Sequence, residues 1–307
     1  MNVLDAVAGR PRAAALFGAL CIAFSGIFYR FAEVSPSTVT VFRCLYGLPV
    51  LILVAWLERR RYGPMPLRTV RLALIAGVFF AGDLLSWHHA VNAVGAGLAT
   101  VLGNMQVLVV GFVAWVVLRE RPPRPVILAT PVVLIGAVLI SGVIGRGAYG
   151  ADPPLGVALG TATALFYAGY LLVIRHGSHD TRRPAGPLAI STAATMVVAL
   201  MFGSAAGDLD LVPAWPSHGW LALLGLTSQS IGYLAISMSL PRLPAALVSI
   251  ILLVQPVATV VLARVLLVEV PSPFQLGGVA LIIGGIALAT VPVARLRDMR
   301  RRRMAEG

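Results

Sequence analysis

The sequence predicts an all-α membrane protein with ten transmembrane helices, arranged as two inverted repeats of five helices, with both termini cytoplasmic. Three observations predict this fold: long apolar runs, arginines concentrated on one side of those runs, and an internal similarity at a constant spacing. Of the 307 residues, 58% are hydrophobic and 12% are charged. A soluble domain carries about twice that charged fraction, so we expect so apolar a surface to face lipid.

Ten apolar runs are long enough to cross a bilayer. A helix needs about 20 apolar residues to span roughly 30 Å of hydrocarbon. A membrane β-barrel would instead show short segments of alternating polarity, which these runs do not have. The runs are 13–32, 37–57, 70–91, 95–118, 125–144, 155–175, 185–206, 219–240, 243–267 and 272–293.

The arginines predict the orientation of these spans. With the N-terminus in the cytoplasm, twenty arginines fall on the cytoplasmic side, whereas Arg30 and Arg146 fall on the opposite side. Excess positive charge marks cytoplasmic segments, so both termini are predicted inside, in a multi-pass protein of the cell (inner or plasma) membrane. The same pattern explains the formal net charge of +12. We therefore expect the lipid bilayer, and not nucleic acid, as the large partner.

The internal similarity joins residues 72–141 to residues 221–290 at a constant offset of 149, without a gap. Matches among leucines and alanines prove little in apolar helices, so the informative matches are polar or conformationally special residues. These are Gln106 with Gln255, Glu120 with Glu269, Pro122 with Pro271, and Gly136 with Gly285.

This similarity predicts three regions: a first five-helix repeat (13–144), a second five-helix repeat (155–293) and a basic cytoplasmic tail (294–307). Because five is odd, the second repeat enters the membrane from the opposite side. Inverted repeats are typical of secondary transporters, in which two similar halves exchange conformations around a site near the midplane.

The repeated segments also resemble a known family. GAGLATVLGNMQVLVVGFVAWVVLRERPPRPVILATPVVLIGAVLIS (95–141) is similar to the fourth and fifth helices of the EamA family of drug/metabolite transporters. Residues 232–289, with Gln255-Pro256 in mid-helix, resemble its helices eight to ten, and VFRCLYGLPVLI (41–52) resembles its Arg-bearing second helix. The resemblance implies a ten-helix transporter of metabolites or drugs, with a cavity between the halves; many members are exporters.

Asp83 is the first candidate for chemistry because it is an acidic residue in the middle of a span. An ionised carboxylate in lipid is costly, so we expect this side chain to face the protein interior, find a partner or be protonated. It could bind a proton or a cationic substrate group, or form a helix-packing hydrogen bond. Trp87 shares its helical face at a spacing of four residues.

Arg43 and His88 are further candidates with open alternatives. Arg43 could pair with Asp83 or attract an anionic group, although snorkelling of its guanidinium to the interface or a structural role is favoured. His88 could relay a proton to Asp83, whereas a position at the membrane interface, beside His89, is favoured.

Gln106 and Gln255 occupy equivalent positions of the two repeats. A buried amide both donates and accepts, which suits a cavity wall that recognises polar groups; gluing helices together is the alternative. Pro256 is expected to break its helix beside Gln255. The candidates Asn104, Gln229 and Tyr233 extend this polar set, and Tyr170 belongs to an expected aromatic wall that also includes Tyr167, Phe24 and Phe28.

These patterns predict a secondary transporter of a small organic solute, exporting it by alternating access and driven by a proton or ion gradient or by exchange. No phosphate-binding loop, cofactor motif or metal-ligand spacing occurs, so no cofactor and no metal are expected. An intramembrane enzyme is the alternative, as is a channel or a scaffold without transport activity. Glycines of the last span, Gly277, Gly278, Gly284 and Gly285, suit close packing, so a homodimer is also considered.

Overall fold

The fold was determined from a computed structural model, which describes residues 10–117, 119, 121–140, 152–177, 180–266 and 272–290. All regular structure in these ranges is helical, and they contain no strand. The predicted basic tail 294–307 lies outside the described residues, as do Arg146, Glu120 and Glu269.

The helices follow the predicted apolar runs closely. In chain order they are α1 (Pro11–Ala23), α2 (Ser25–Ala32), α3 (Pro36–Tyr62), α4 (Leu67–Asn104), α5 (Gln106–Val116), α6 (Arg124–Ile140), α7 (Pro153–Gly177), α8 (Ala185–Ala206), α9 (Ser217–Leu224), a π-helical turn (Gly225–Gly232), α10 (Tyr233–Ser239), a 3₁₀ turn (Leu240–Arg242), α11 (Ala245–Leu252), α12 (Val254–Leu266) and α13 (Pro273–Thr290).

Within the described part of the chain, six helical segments are long and apolar enough to cross a membrane. Four shorter apolar helices lie inside the remaining predicted spans. The prediction of an all-α membrane protein is therefore confirmed. One boundary differs: the connection expected at 92–94 is part of α4, which runs on to Asn104. No proline lies between Pro66 and Pro122 to interrupt it, and alanine-rich sequence favours helix.

The helices pack in pairs around the middle of the bundle. α3 packs along α8, α4 packs against α7 and α8, and α6 packs against α13. α1 contacts α10, α12 and the π-helical turn, while α5 contacts α7 and α11. These contacts place α1, α3, α4, α10 and α12 around a common centre.

α3 and α8 are antiparallel and are joined at both ends. The Glu58 carboxylate, near the end of α3, accepts hydrogen bonds of 3.0 Å from the backbone N–H groups of Ala185 and Gly186, at the start of α8. At the other end, the Asp208 carboxylate, just beyond α8, accepts a 3.4 Å hydrogen bond from the Ser37 N–H at the start of α3. Each carboxylate thus neutralises free donors at the partner helix's N-terminus.

Several predicted spans are interrupted in mid-membrane. α1 ends at Phe24, α4 ends at Met105 and α11 ends at Leu253, and a new helix follows each of these residues directly. The Met105 N–H bonds to the Leu102 carbonyl and the Leu253 N–H to the Ile250 carbonyl, both at 3.0 Å, so each break is a tightened 3₁₀-like turn.

The helix break predicted at Pro256 falls slightly earlier, at Leu253. Pro256 lies in the first turn of α12 (Val254–Leu266), where its missing N–H costs no helical hydrogen bond. Met105 and Leu253 are 148 residues apart, within one residue of the offset that relates the two similar segments.

The glycines of α13 have two different environments. A Cβ on Gly136 of α6 would lie 2.8 Å from the Gly278 carbonyl oxygen, and a Cβ on Gly285 would lie 2.4 Å from Val133 Cγ1. Gly278 and Gly285 therefore serve close packing within the chain. No described atom lies within 4 Å of a Cβ added to Gly277 or Gly284, so these two do not serve packing among the described residues, and the homodimer stays a prediction.

Candidate functional site

The helix breaks surround a cavity of about 120 Å³ that is not fully enclosed. Its walls come from α1, α2, α3, α4, α7, α10 and α12, so both similar segments contribute to it. The polar and aromatic residues that line it are Ser25, Arg43, Asp83, Trp87, Asn104, Thr163, Tyr167, Tyr233, Gln255 and Thr259, with Gly26, Gly103 and Pro256 between them.

Most of the residues predicted from the sequence meet at this cavity. Asp83, Trp87, Arg43, Asn104, Tyr233, Gln255 and Pro256 all line it. Four other candidates, His88, Gln106, Tyr170 and Gln229, are buried but do not line the wall. Those four lie behind the wall, where their hydrogen bonds and ring contacts support it.

Opposite charges face the cavity from α3 and α4. Arg43 is 2% exposed and Asp83 is 6% exposed, so Arg43 lies inside the bundle, which agrees with the structural role that was favoured together with snorkelling. Arg43 is held by α3's contact with the π-helical turn. In the described part of the chain no ion pair joins Arg43 to Asp83.

Gln229 positions the guanidinium of Arg43. The Arg43 Nε–H donates a 3.2 Å hydrogen bond to Gln229 Oε1, and Gln229 Nε2 donates a 2.9 Å hydrogen bond to Thr192 Oγ1 of α8. The Nη2 atom of Arg43 is buried and has no hydrogen-bond partner among the described residues. A buried guanidinium N–H without a partner is costly, which favours an acceptor supplied by a ligand.

Gln106 supports a helix break. Its Nε2 atom donates a 3.4 Å hydrogen bond to the Ser249 carbonyl oxygen. In an unbroken α-helix that oxygen would accept from the Leu253 N–H, which here bonds to Ile250 instead. Gln106 thus satisfies a carbonyl that the break releases, and its equivalent Gln255 lines the cavity.

Of the predicted aromatic wall, Tyr167 and Tyr170 stack together at the cavity, whereas Phe24 stacks with Phe28, and Phe28 with Trp220, in a separate cluster. Tyr170 stacks on Phe80 at 4.4 Å between ring centroids, and Tyr233 meets Phe80 edge-on at 4.7 Å. Tyr167 stacks with Tyr170 at 6.2 Å. Such offset and edge-on contacts add to the burial energy and keep the rings fixed.

His88 is fully buried among protein side chains, and its predicted position at the membrane interface stays a prediction. Its Nδ1 atom lies 3.2 Å from Thr40 Oγ1, and the rings of Tyr29 and Trp87 lie 4.7 and 5.0 Å from its own. His89 instead approaches Asp208, with 3.6 Å between Nε2 and Oδ2. The two neighbouring histidines therefore have different surroundings.

Among the hydroxyl groups that line the cavity, those of Ser25, Thr163 and Thr259 were missed by the sequence reasoning. Ser25 Oγ donates to Ser228 Oγ at 2.9 Å, and Ser228 Oγ donates to the Cys21 carbonyl at 3.1 Å. Thr259 Oγ1 lies 3.3 Å from the Ala23 carbonyl, next to the break at Phe24. The signal that would have found them is a small hydroxyl residue in an apolar run, close to a break in another span.

Among the described residues, no group of three or more His, Cys, Asp or Glu side chains is placed to hold a metal ion. The arrangement at the cavity is instead one of a buried cation, a buried acid, amides, hydroxyls and aromatic rings. Such a set binds a small polar solute by charge and hydrogen bonds.

A bundle of apolar helices around a small cavity with charged walls is typical of a membrane transporter. The chain belongs to the EamA-like transporter family, whose sequence profile matches it over residues 12–142 and again over residues 154–291. The resemblance seen in the sequence is therefore confirmed.

Two individual proteins are similar over most of their length. An uncharacterized transporter of Bacillus subtilis (strain 168), YwfM, is 23% identical over 257 residues, which make up 82% of this chain and 83% of that protein. A solved structure, described only as the crystal structure of a protein, superposes with a TM-score of 0.78 at 19% identity and covers 94% of this chain and 99% of that one. The second likeness shows a shared fold.

Proposed function

We propose that this protein is a secondary transporter that exports a small organic metabolite or drug across the cell membrane by alternating access. The observation that carries the proposal is the cavity that Arg43 and Asp83 both line without forming an ion pair, with the Nη2 atom of Arg43 buried and without a partner among the described residues. A buried guanidinium N–H without an acceptor is costly, and so is an ionised carboxylate in a membrane protein; a ligand that supplies partners to both groups offsets these costs.

The cavity chemistry favours a compact solute that carries both an anionic and a cationic group. A carboxylate on the solute would accept from the free Nη2 of Arg43, and an ammonium group would pair with Asp83. Asn104 and Gln255 add amide donors and acceptors, while Trp87, Tyr167 and Tyr233 provide aromatic surface. A volume of about 120 Å³ suits a solute of amino-acid size better than a large drug.

Alternating access is supported by the relation between the two halves. The profile of the family matches the chain twice, over 12–142 and 154–291. α3 and α8, the second helices of these two stretches, run antiparallel, as an inverted repeat requires. The breaks at Met105 and Leu253 fall at equivalent places beside the cavity and provide points at which helices can bend.

Asp83 is the proposed coupling residue. Its carboxyl can hold a proton when the cationic group of the solute is absent and release it when that group binds. Transport would then run against proton movement, driven by a proton gradient, with another ion or solute exchange as the alternative driving force.

Flux measurements on purified protein in liposomes test the proposal. A mixture of isotopically labelled small amino acids should accumulate when a pH gradient is imposed, and Asp83→Asn should abolish the dependence on that gradient. The matched control is Asp152→Asn, because Asp152 is exposed and accepts a hydrogen bond from the Leu155 N–H near the start of α7, which asparagine also does. Flux no greater than in empty liposomes, for zwitterions, amines and acids alike, would overturn the proposal.

A further inference from the structure

We propose that Trp87 is the gate that separates the central cavity from a second, outer cavity. The proposal rests on the proposed function, because a solute bound in the central cavity needs an opening through which to leave. It assigns the closure to the side chain of Trp87, seated between two glycines.

The second cavity has a volume of about 420 Å³ and lies at the end of α2, beside the stretch of α4 from Trp87 to Asn92. Tyr29, Arg30, Glu33 and Asn92 contribute polar groups to it. The arginine distribution places this end of the bundle on the outer side, so we call this cavity the outer vestibule.

Gly26 and Trp87 line both the central cavity and the outer vestibule. The two spaces therefore meet at this pair of residues. Since Gly26 has no side chain, the material between the spaces at this point is the indole of Trp87. The charged groups Arg43 and Asp83 lie on one side of it, and Arg30 and Glu33 line the space on the other side.

The indole extends from one glycine to another. Its Cη2 atom lies 4.0 Å from the position that a Cβ on Gly26 of α2 would occupy. Its Cδ1 atom lies 3.9 Å from the corresponding position on Gly103, near the end of α4. Both are ordinary van der Waals distances, so the ring is not clamped at either glycine. The position on Gly103 lies closer still to Thr163 Cγ2, at 3.1 Å, so the indole shares that space with Thr163, whereas at Gly26 the indole is the neighbour.

The third side of the ring is held by aromatic contacts. The rings of Trp87 and His88 are 5.0 Å apart and edge-to-face, and Tyr29 lies 6.4 Å away. His88 is itself fixed by its 3.2 Å contact with Thr40 Oγ1. An indole that is supported on one side and meets glycines at its two ends can turn about its χ angles without displacing a helix.

Thiol accessibility tests the gate independently of transport. In a background with Cys21→Ser and Cys44→Ala, a thiol is introduced at the central cavity by Thr163→Cys and, in a separate protein, at the vestibule by Val34→Cys. A membrane-impermeant maleimide is then added outside to spheroplasts that express each protein. The vestibule thiol should react quickly and the central thiol slowly.

Adding Trp87→Ala should raise the labelling rate of the central thiol by at least about tenfold, since removing a packed aromatic ring changes an opening equilibrium by that much or more. Adding Gly26→Phe to Trp87→Ala should restore protection, because an aromatic ring then closes the gap from the opposite wall. Trp220→Ala is the matched control: its ring lies 6.1 Å from that of Phe28 and lines neither cavity.

The proposal is overturned if the central thiol already reacts quickly with Trp87 in place. It is equally overturned if Trp87→Ala leaves the rate unchanged, or if Trp220→Ala raises it as much. A vestibule thiol that labels only from the cytoplasmic side would contradict the outer placement. Labelling does not require transport of a solute. The test of the gate and the test of the proposed function can therefore fail independently of each other.

Discussion

Arg43 and Gln229 are joined by a 3.2 Å hydrogen bond that fixes a buried cation at the wall of the central cavity. Gln229 belongs to the π-helical turn Gly225–Gly232, and that turn packs against α3. π-helical turns are rare and often occur at functional sites. The π-helical turn therefore presents an amide to the arginine at the cavity.

Replacing Gln229 by alanine should destabilise the protein by about 3 kcal/mol, because it removes the acceptor of a buried guanidinium. Gln229→Glu should recover most of this loss, since its carboxylate accepts the same hydrogen bond and adds an opposite charge. The measurement is thermal unfolding of the purified protein in detergent. Thr227→Ala, on the same turn, should have a small effect, and equal losses for Gln229→Ala and Thr227→Ala would contradict the assignment.

Glu58 should contribute to stability as a cap of α8. Glu58→Ala leaves the N–H groups of Ala185 and Gly186 without their acceptor and should cost about 1–2 kcal/mol. Glu58→Gln keeps one acceptor oxygen and should cost less. Thermal unfolding distinguishes them, with the exposed Arg59→Ala as control. Identical thermal unfolding curves for Glu58→Ala and Arg59→Ala would show that the Glu58 cap does not contribute to the free energy of unfolding.

The loop before α8 should lose stability at low pH. The hydrogen bond from Arg182, helped by the nearby Arg183, lowers the pKa of Asp180 below its ordinary value. A carboxyl whose pKa is lower in the folded state stabilises the fold above its unfolded pKa, and this contribution disappears as the pH falls through the folded pKa. The difference in melting temperature between the parent and Asp180→Asn should therefore narrow as the pH falls from neutral to below about 4.

The contribution of Asp180 should be small, because its carboxylate is partly exposed and the pairs lie at the surface. High salt should reduce the difference between parent and Asp180→Asn at neutral pH. A difference that stays constant across the pH range would contradict the lowered pKa.

Glycines on the packed helices α6 and α13 should respond in opposite ways to alanine. A Cβ on Gly136 would lie 2.8 Å from the Gly278 carbonyl oxygen, so Gly136→Ala should force the helices apart and cost about 1–3 kcal/mol. No described atom lies within 4 Å of a Cβ on Gly277, so Gly277→Ala should be neutral or stabilise by up to about 1 kcal/mol. The order of their melting temperatures is the readout, and the reverse order would refute the packing.

The sequence predicted the helical membrane fold well because the apolar runs are a local property of the chain. It also predicted that Asp83, Trp87, Gln255 and Tyr233 are of interest, since polar or aromatic residues in mid-span are rare and costly. These residues do meet at one cavity. Their meeting could not be derived from spacing, because it depends on how α3, α4, α10 and α12 pack.

The assignments that failed or stayed open were those decided by tertiary contacts. For Arg43 the sequence left snorkelling and a structural role open together, and it could not name the partner, because Gln229 lies 186 residues away along the chain. The break at Leu253 was displaced from Pro256 because proline is tolerated in the first turn of a new helix. Helical periodicity likewise contains no sign of the π-helical turn.

The paired helices α3 and α8 have a mechanical consequence. The two helices are hydrogen-bonded at both ends, through Glu58 at one end and Asp208 at the other, and both sets of hydrogen bonds are present together. Separating these two helices at either face of the protein would therefore break the hydrogen bonds at that end. We therefore expect this pair to stay together during the proposed alternating access, and the interrupted helices to bend at Phe24, Met105 and Leu253.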